Sequence, residues 1–83
     1  MDKVYVLTIR DVSDGIVLTD SIEVYKDFNK AKENYDEVKS NYDDAGFHFN
    51  EDINPKNNFF SYYKYNSIED YIEIRLMECV VNL

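Results

Sequence analysis

The stretch Asp27-Phe-Asn-Lys-Ala-Lys-Glu-Asn-Tyr-Asp-Glu-Val-Lys-Ser-Asn-Tyr42 decides the fold. Within it Phe28, Ala31, Tyr35, Val38 and Tyr42 recur at spacings of three and four, which places them on one stripe of a helix. Asp27 suits the N-cap, where a short carboxylate accepts a first-turn amide N–H. Gly46 suits the C-terminal stop, which favours a residue able to turn left-handed. A helix is therefore predicted over residues 28–45. Its outer face carries Lys30, Lys32, Glu33, Asp36, Glu37, Lys39, Asp43 and Asp44. Asp43 and Asp44 lie at the C-terminal end, where negative charge opposes the helix dipole by about 0.3–1 kcal/mol each. A local cost with no structural return marks the pair as functional candidates.

On either side of this helix the period changes from 3.6 to 2. Val4 to Arg10 reads as a strand, with Tyr5, Leu7 and Ile9 on one side and Val4, Val6 and Thr8 on the other. The turn-forming run Asp11-Val-Ser-Asp-Gly15 leads into a second strand, Ile16 to Tyr25. There Ile16, Leu18, Ile22 and Val24 alternate with Val17, Thr19, Ser21, Glu23 and Tyr25. After the helix, residues 46–58 are the least regular part of the chain. Asn50 to Asn58 is expected as a loop, and Phe47 and Phe49 as residues packing under the helix end. Phe59 to Tyr65 and Tyr71 to Val81 complete the pattern as third and fourth strands, joined by a turn over Asn66 to Asp70.

The order β-β-α-β-β predicts an α+β domain, a four-stranded antiparallel sheet with one helix packed across one face. The helix stripe is expected to rest on Leu7, Ile9, Leu18, Ile22, Ile74 and Leu76. The opposite face does not turn polar, since Val4, Val6, Val17, Tyr25, Tyr71, Met77, Cys79 and Val81 fall there. An antiparallel sheet with one face in water alternates apolar and polar residues. This second face is therefore expected to be covered by the loop, by a second copy or by a partner.

Composition sets the outer bounds. A chain of 83 residues is expected to form a single domain spanning residues 1–83. Its hydrophobic fraction of 45% and aromatic fraction of 16% argue against disorder. Seventeen acidic against nine basic residues give a formal net charge of −8. Such a field repels nucleic acid and anionic membranes, so neither is expected as a direct ligand. It attracts basic partners, including proteins that themselves bind nucleic acid, while solubility alone is the other sufficient account of the charge. Cys79 is the one cysteine, which suits a reducing cytoplasm, and no apolar signal or membrane-spanning stretch is visible.

The residues that carry chemistry are sparse. His48, the one histidine, sits between two phenylalanines with no nucleophile arrayed beside it and reads as a loop residue. Asn50 to Asn54 offers oxygen ligands at alternate positions, yet Pro55 stands where a calcium loop turns on Gly, and Ser61 where it needs a bidentate Glu. Two glycines, Gly15 and Gly46, cannot build a phosphate-cradling loop. No metal, cofactor or catalytic residue is expected, and the protein reads as a non-enzymatic binder.

What remains is the aromatic run Phe59, Phe60, Tyr62, Tyr63 and Tyr65, with Tyr71 beyond the turn. Strand alternation prevents Phe60 and Tyr62 from sharing a face with Tyr63 and Tyr65. At least two rings therefore lie away from the helix, where tyrosine suits a protein interface. The expected partner-binding residues are Tyr62, Tyr63, Tyr65 and Tyr71 together with the carboxylates Glu33, Glu37, Asp43, Asp44 and Glu73. A homodimer paired through the second sheet face is the other reading. In overall type the chain is small, acidic and rich in Tyr, Asn and Lys. It resembles accessory proteins of phages and mobile elements, among them inhibitors of defence nucleases and immunity-type proteins. That resemblance implies inhibition of a basic protein partner.

Overall fold

The computed structural model describes residues 2–42 and 48–81. The elements run β1 (Asp2–Ser13), β2 (Ile16–Tyr25), α1 (Phe28–Ser40), β3 (His48–Asn54), β4 (Phe59–Ser67) and β5 (Asp70–Val81), with a 3-10 turn at Pro55–Asn57. All strand pairs are antiparallel, in the spatial order β2-β1-β5-β4-β3. The protein is therefore α+β, as expected. No helix among the described residues is long and apolar enough to cross a membrane.

The sheet has five strands where four are expected. His48–Asn54, read from sequence as an irregular segment running into a loop, is the outer strand β3 against β4. Its Asn and Asp residues have poor strand propensity, and they conceal the alternation. Tertiary contacts hold it instead. Phe49 stacks on Tyr62 with ring centroids 6.3 Å apart, and Glu51 is ion-paired to Lys39 of the helix.

Helix α1 starts where the sequence predicts. Asp27 is extended (φ −104°, ψ 117°), and its side chain accepts from the Asn29 amide at 2.9 Å. The helix ends at Ser40 rather than running to residue 45, with Asn41 as C-cap donating to the carbonyls of Glu37 and Val38. Gly46, the expected stop, and Phe47 lie outside the described residues. The carbonyl of Tyr42, just past the helix, accepts from the buried Nζ of Lys64 at 2.5 Å. A cation there complements the negative end of the helix dipole.

The core lies between α1 and one sheet face. Leu7 and Ile9 of β1, Ile72, Ile74 and Leu76 of β5, and Phe60 and Tyr62 of β4 enclose Ala31 and Tyr35 of the helix. Phe28 meets Tyr5 edge-on at 5.4 Å and leans on Phe60 at 6.1 Å.

Strand β2 departs from expectation. Leu18 and Ile22, predicted to lie under the helix, are 62% and 71% exposed. The cause is a single extra residue. Asp14 (φ 51°) and Gly15 (φ 78°) make a two-residue left-handed turn that pairs Ser13 with Ile16 and Val12 with Val17. The register then shifts so that Asp11 pairs with Thr19, leaving Leu18 as a bulge. Without the bulge Leu7 would face Ile22; with it Leu7 faces Glu23, and Ile22 faces Thr8. A one-residue slip turns every later side chain to the other face. Ile22 and Val24 thus leave the core side, and Tyr25 joins it, contrary to the expected partition. The Tyr25 hydroxyl accepts from Asn34 Nδ2 at 2.6 Å and donates to Glu23.

Candidate protein-binding surface

No described element covers the sheet face opposite α1. Pairing registers lay out its rows. Val6 lies between Val24 and Met77, Thr8 between Ile22 and Arg75, Arg10 between Asp20 and Glu73, and Val12 between Val17 and Tyr71. The first rows, with Val4 opposite Cys79, form an aliphatic end. At this end Val24 is 62% exposed, and Ile22 of the next row is still more exposed.

The middle band is charged but internally neutralised. Arg10 reaches Asp20 at 3.3 Å, and Arg75 reaches Glu73 at 3.3 Å. Arg10 also donates from Nε to the Tyr71 hydroxyl at 2.9 Å. That hydrogen bond, then the neighbouring Tyr71 and Asp20 charges, raises the Arg10 pKa above its ordinary value. The guanidinium is thus tied to Tyr71 on one side and Asp20 on the other.

The far corner is aromatic. Tyr63 and Tyr65 stack at 5.0 Å and 22°, Tyr71 lies 5.7 Å from Tyr63, and the His48 ring lies 5.9 Å from Tyr65. Partial burial, followed by the nearby Tyr71 and Glu73, raises the Tyr63 pKa, so its hydroxyl keeps its proton. Such a cluster offers rigid apolar area with hydrogen-bonding tips, the chemistry found at the centre of protein interfaces.

The expected site residues separate into groups. Tyr63, Tyr65, Tyr71 and Glu73 come together on the open face. Tyr62 does not: it is 4% exposed, on the helix side, with Lys39 Nζ 5.3 Å from its ring centre. Glu33 and Glu37 are exposed on the helix, across the sheet from the tyrosines. Asp43 and Asp44 lie outside the described residues. Sequence reasoning missed Ile22 and Val24 on this face because nothing in β2 announces a bulge at Leu18. It also missed Arg10 and His48, since no local pattern shows that β1 and β3 bring them beside tyrosines of β4 and β5.

The chain matches no protein-family model, and no curated protein or solved structure is significantly similar to it. Its surface must speak for it. Among the described residues no group of three or more His, Cys, Asp or Glu side chains is placed to hold a metal ion. A hollow of about 430 Å³ between Asp2, Lys3, Val4, Lys26 and Val81 is open and lies away from the tyrosine corner.

Proposed function

We propose that the protein binds another protein through the bare face of its sheet, and that it inhibits or modulates that partner rather than catalysing a reaction. The observation that carries this reading is a sheet with one face under a helix and the other bearing Val4, Val6, Ile22, Val24 and Met77 at one end and three clustered tyrosines at the other. Surface aliphatic residues in contiguous rows are a liability in water unless something covers them. The net charge of −8 supports a partner of basic surface. On this face Asp20 and Glu73 already hold Arg10 and Arg75, so the attraction for a basic partner comes from the net field of the chain and not from these two carboxylates. The proposed setting is the cytoplasm, where Cys79 stays reduced, and the proposed role needs no cofactor.

Affinity capture from the source cell tests this. Wild-type protein should retain a basic protein that elutes as salt rises, and Met77→Lys should lose it. Retention by Met77→Lys, with loss on Glu33→Lys/Glu37→Lys, would move the interface to the helix and refute the reading. The bare face also supports a second reading, a homodimer paired over Val4, Val17, Met77 and Val81, of which Val17 lies at the tyrosine end and the other three at the aliphatic end. Light scattering separates the two, because an obligate dimer cannot run as a monodisperse monomer at micromolar concentration.

A further inference from the structure

Strand β2 is an outermost strand of the sheet and, among the described strands, pairs with β1 alone. Each edge strand presents a row of unpaired amide and carbonyl groups, and proteins usually blunt such edges with short strands, Lys, Pro or a covering element. The other edge, β3, is seven residues long, carries Asn50, Asp52 and Asn54, and runs directly into Pro55. By contrast β2 is ten residues long, with neither Lys nor Pro. Beyond the bulge at Leu18, Thr19 to Tyr25 pairs with β1 in unbroken register, so its outer edge is straight. Ile16, Val17, Leu18, Ile22 and Val24 are all exposed on this one strand, half of its residues.

The charges beside this edge say what fits it. Asp20 and Glu23 lie within the straight segment, with Asp14 and Asp27 at the two ends and Lys26 as the one cation in residues 14–27. A second copy pairing edge to edge would bring two such acidic strands together, on chains carrying −8 each. We propose that the outer edge of β2 captures an extended basic segment of the partner protein as a sixth strand. Its aliphatic side chains would lie beside Ile22 and Val24, one cation would lie opposite Glu23, and a second would share Asp20 with Arg10. This rests on the reading of the protein as a binder of basic proteins, and it names the element that grips. Main-chain pairing would supply affinity, and the alternate side chains would supply selection.

The capped peptide Thr-Val-Arg-Ile-Ser-Lys-Thr is a direct probe. Paired antiparallel to residues 19–25, it puts Val and Ile opposite Val24 and Ile22, Arg opposite Glu23 and Lys opposite Asp20. Isotope-labelled full-length protein should show saturable shifts centred on β2, and slowed amide exchange at alternate residues of 19–25. Binding should weaken about three- to tenfold on Glu23→Lys, and more on Ile22→Lys, whose exposed position leaves the fold intact. A version of the peptide with Glu in place of Arg and Lys, and one with Pro-Pro in place of Ile-Ser, should not bind. Shifts at Tyr63, Tyr65 and Met77 without protection of β2 would overturn the edge proposal while leaving the open face as the binding surface. No response to the peptide up to about 1 mM would overturn the edge proposal too. A protein that still captures a basic partner would then keep the broader reading, and one that captures none would lose both. Concentration-dependent self-association abolished by Ile22→Lys would assign the edge to a second copy and overturn the basic occupant.

Discussion

Replacing Tyr35 by Phe removes one oxygen from the most enclosed ring of the core. Tyr35 is 1% exposed, packs against Phe60 at 5.9 Å, and its hydroxyl has no hydrogen-bond partner among the described residues. A hydroxyl buried without a partner costs about 1–3 kcal/mol by mutational experience. Tyr35→Phe removes that cost and keeps the ring contacts, while the small void left by the oxygen returns part of the gain. The expected net stabilisation is about 1 kcal/mol, or roughly 4–8 °C in Tm for a domain of this size. A second signature appears in alkali. Burial first, then the charges of Glu51 and Asp36, pushes the Tyr35 phenol above its ordinary 10.0. With the folded pKa raised, the associated stability is complete below the unfolded pKa and is lost as pH rises through the folded one. The unfolded chain releases this proton from about pH 10 upward while the folded chain keeps it, so stability falls with pH in that window. Tyr25, Tyr42 and Tyr63 are raised as well, so Tyr35→Phe should flatten the decline without abolishing it. Urea unfolding at pH 7 and again above pH 10 measures both effects. A variant destabilised by 1 kcal/mol or more at pH 7 would mean that the hydroxyl is bonded and that α1 sits differently over β4.

Three further substitutions and one deletion examine the fold. Ile22→Ser should change stability by no more than about 0.5 kcal/mol, whereas Ile74→Ala should cost about 2–4 kcal/mol; similar losses at the two sites would return Ile22 to the core. Asp27→Ala removes the carboxylate that accepts from Asn29 and should cost about 1 kcal/mol in thermal or chemical unfolding, with no change in the spectrum of the folded state. Deleting Leu18 removes the one unpaired residue and leaves every other pair in place, so cross-strand contacts seen by NMR should still join Leu7 to Glu23 and Thr8 to Ile22; a contact between Leu7 and Ile22 would refute the bulge.

Sequence reveals the helix and the paired strands that follow a single clear period. Phe28, Ala31 and Tyr35 recur at helical spacing, and Asp27 caps them, because both signals are local. The face away from the helix was also legible, since Val4, Val6, Met77 and Cys79 alternate too regularly to be polar-side residues. Two things were not legible. The strand His48–Asn54 is held by Tyr62 and Lys39 from distant parts of the chain, against its own propensity. Leu18 is an ordinary strand residue whose role as a bulge depends on pairing with β1, and that one residue decides which face Ile22 and Val24 occupy. Of the expected contact residues, Tyr63, Tyr65, Tyr71 and Glu73 converge because strand parity fixes them relative to one another. Tyr62 stands apart by the same parity, and Glu33 and Glu37 belong to a different layer.

The central claim is that the working surface is the bare sheet face with its β2 edge. Its most direct test is the amide-exchange footprint of the captured basic partner on the full-length protein. The expected footprint protects Thr19 to Tyr25 and shifts Val6, Tyr63 and Met77, leaving Glu33 and Glu37 unchanged. A footprint confined to the outer side of the helix, with the sheet face untouched, would contradict the account.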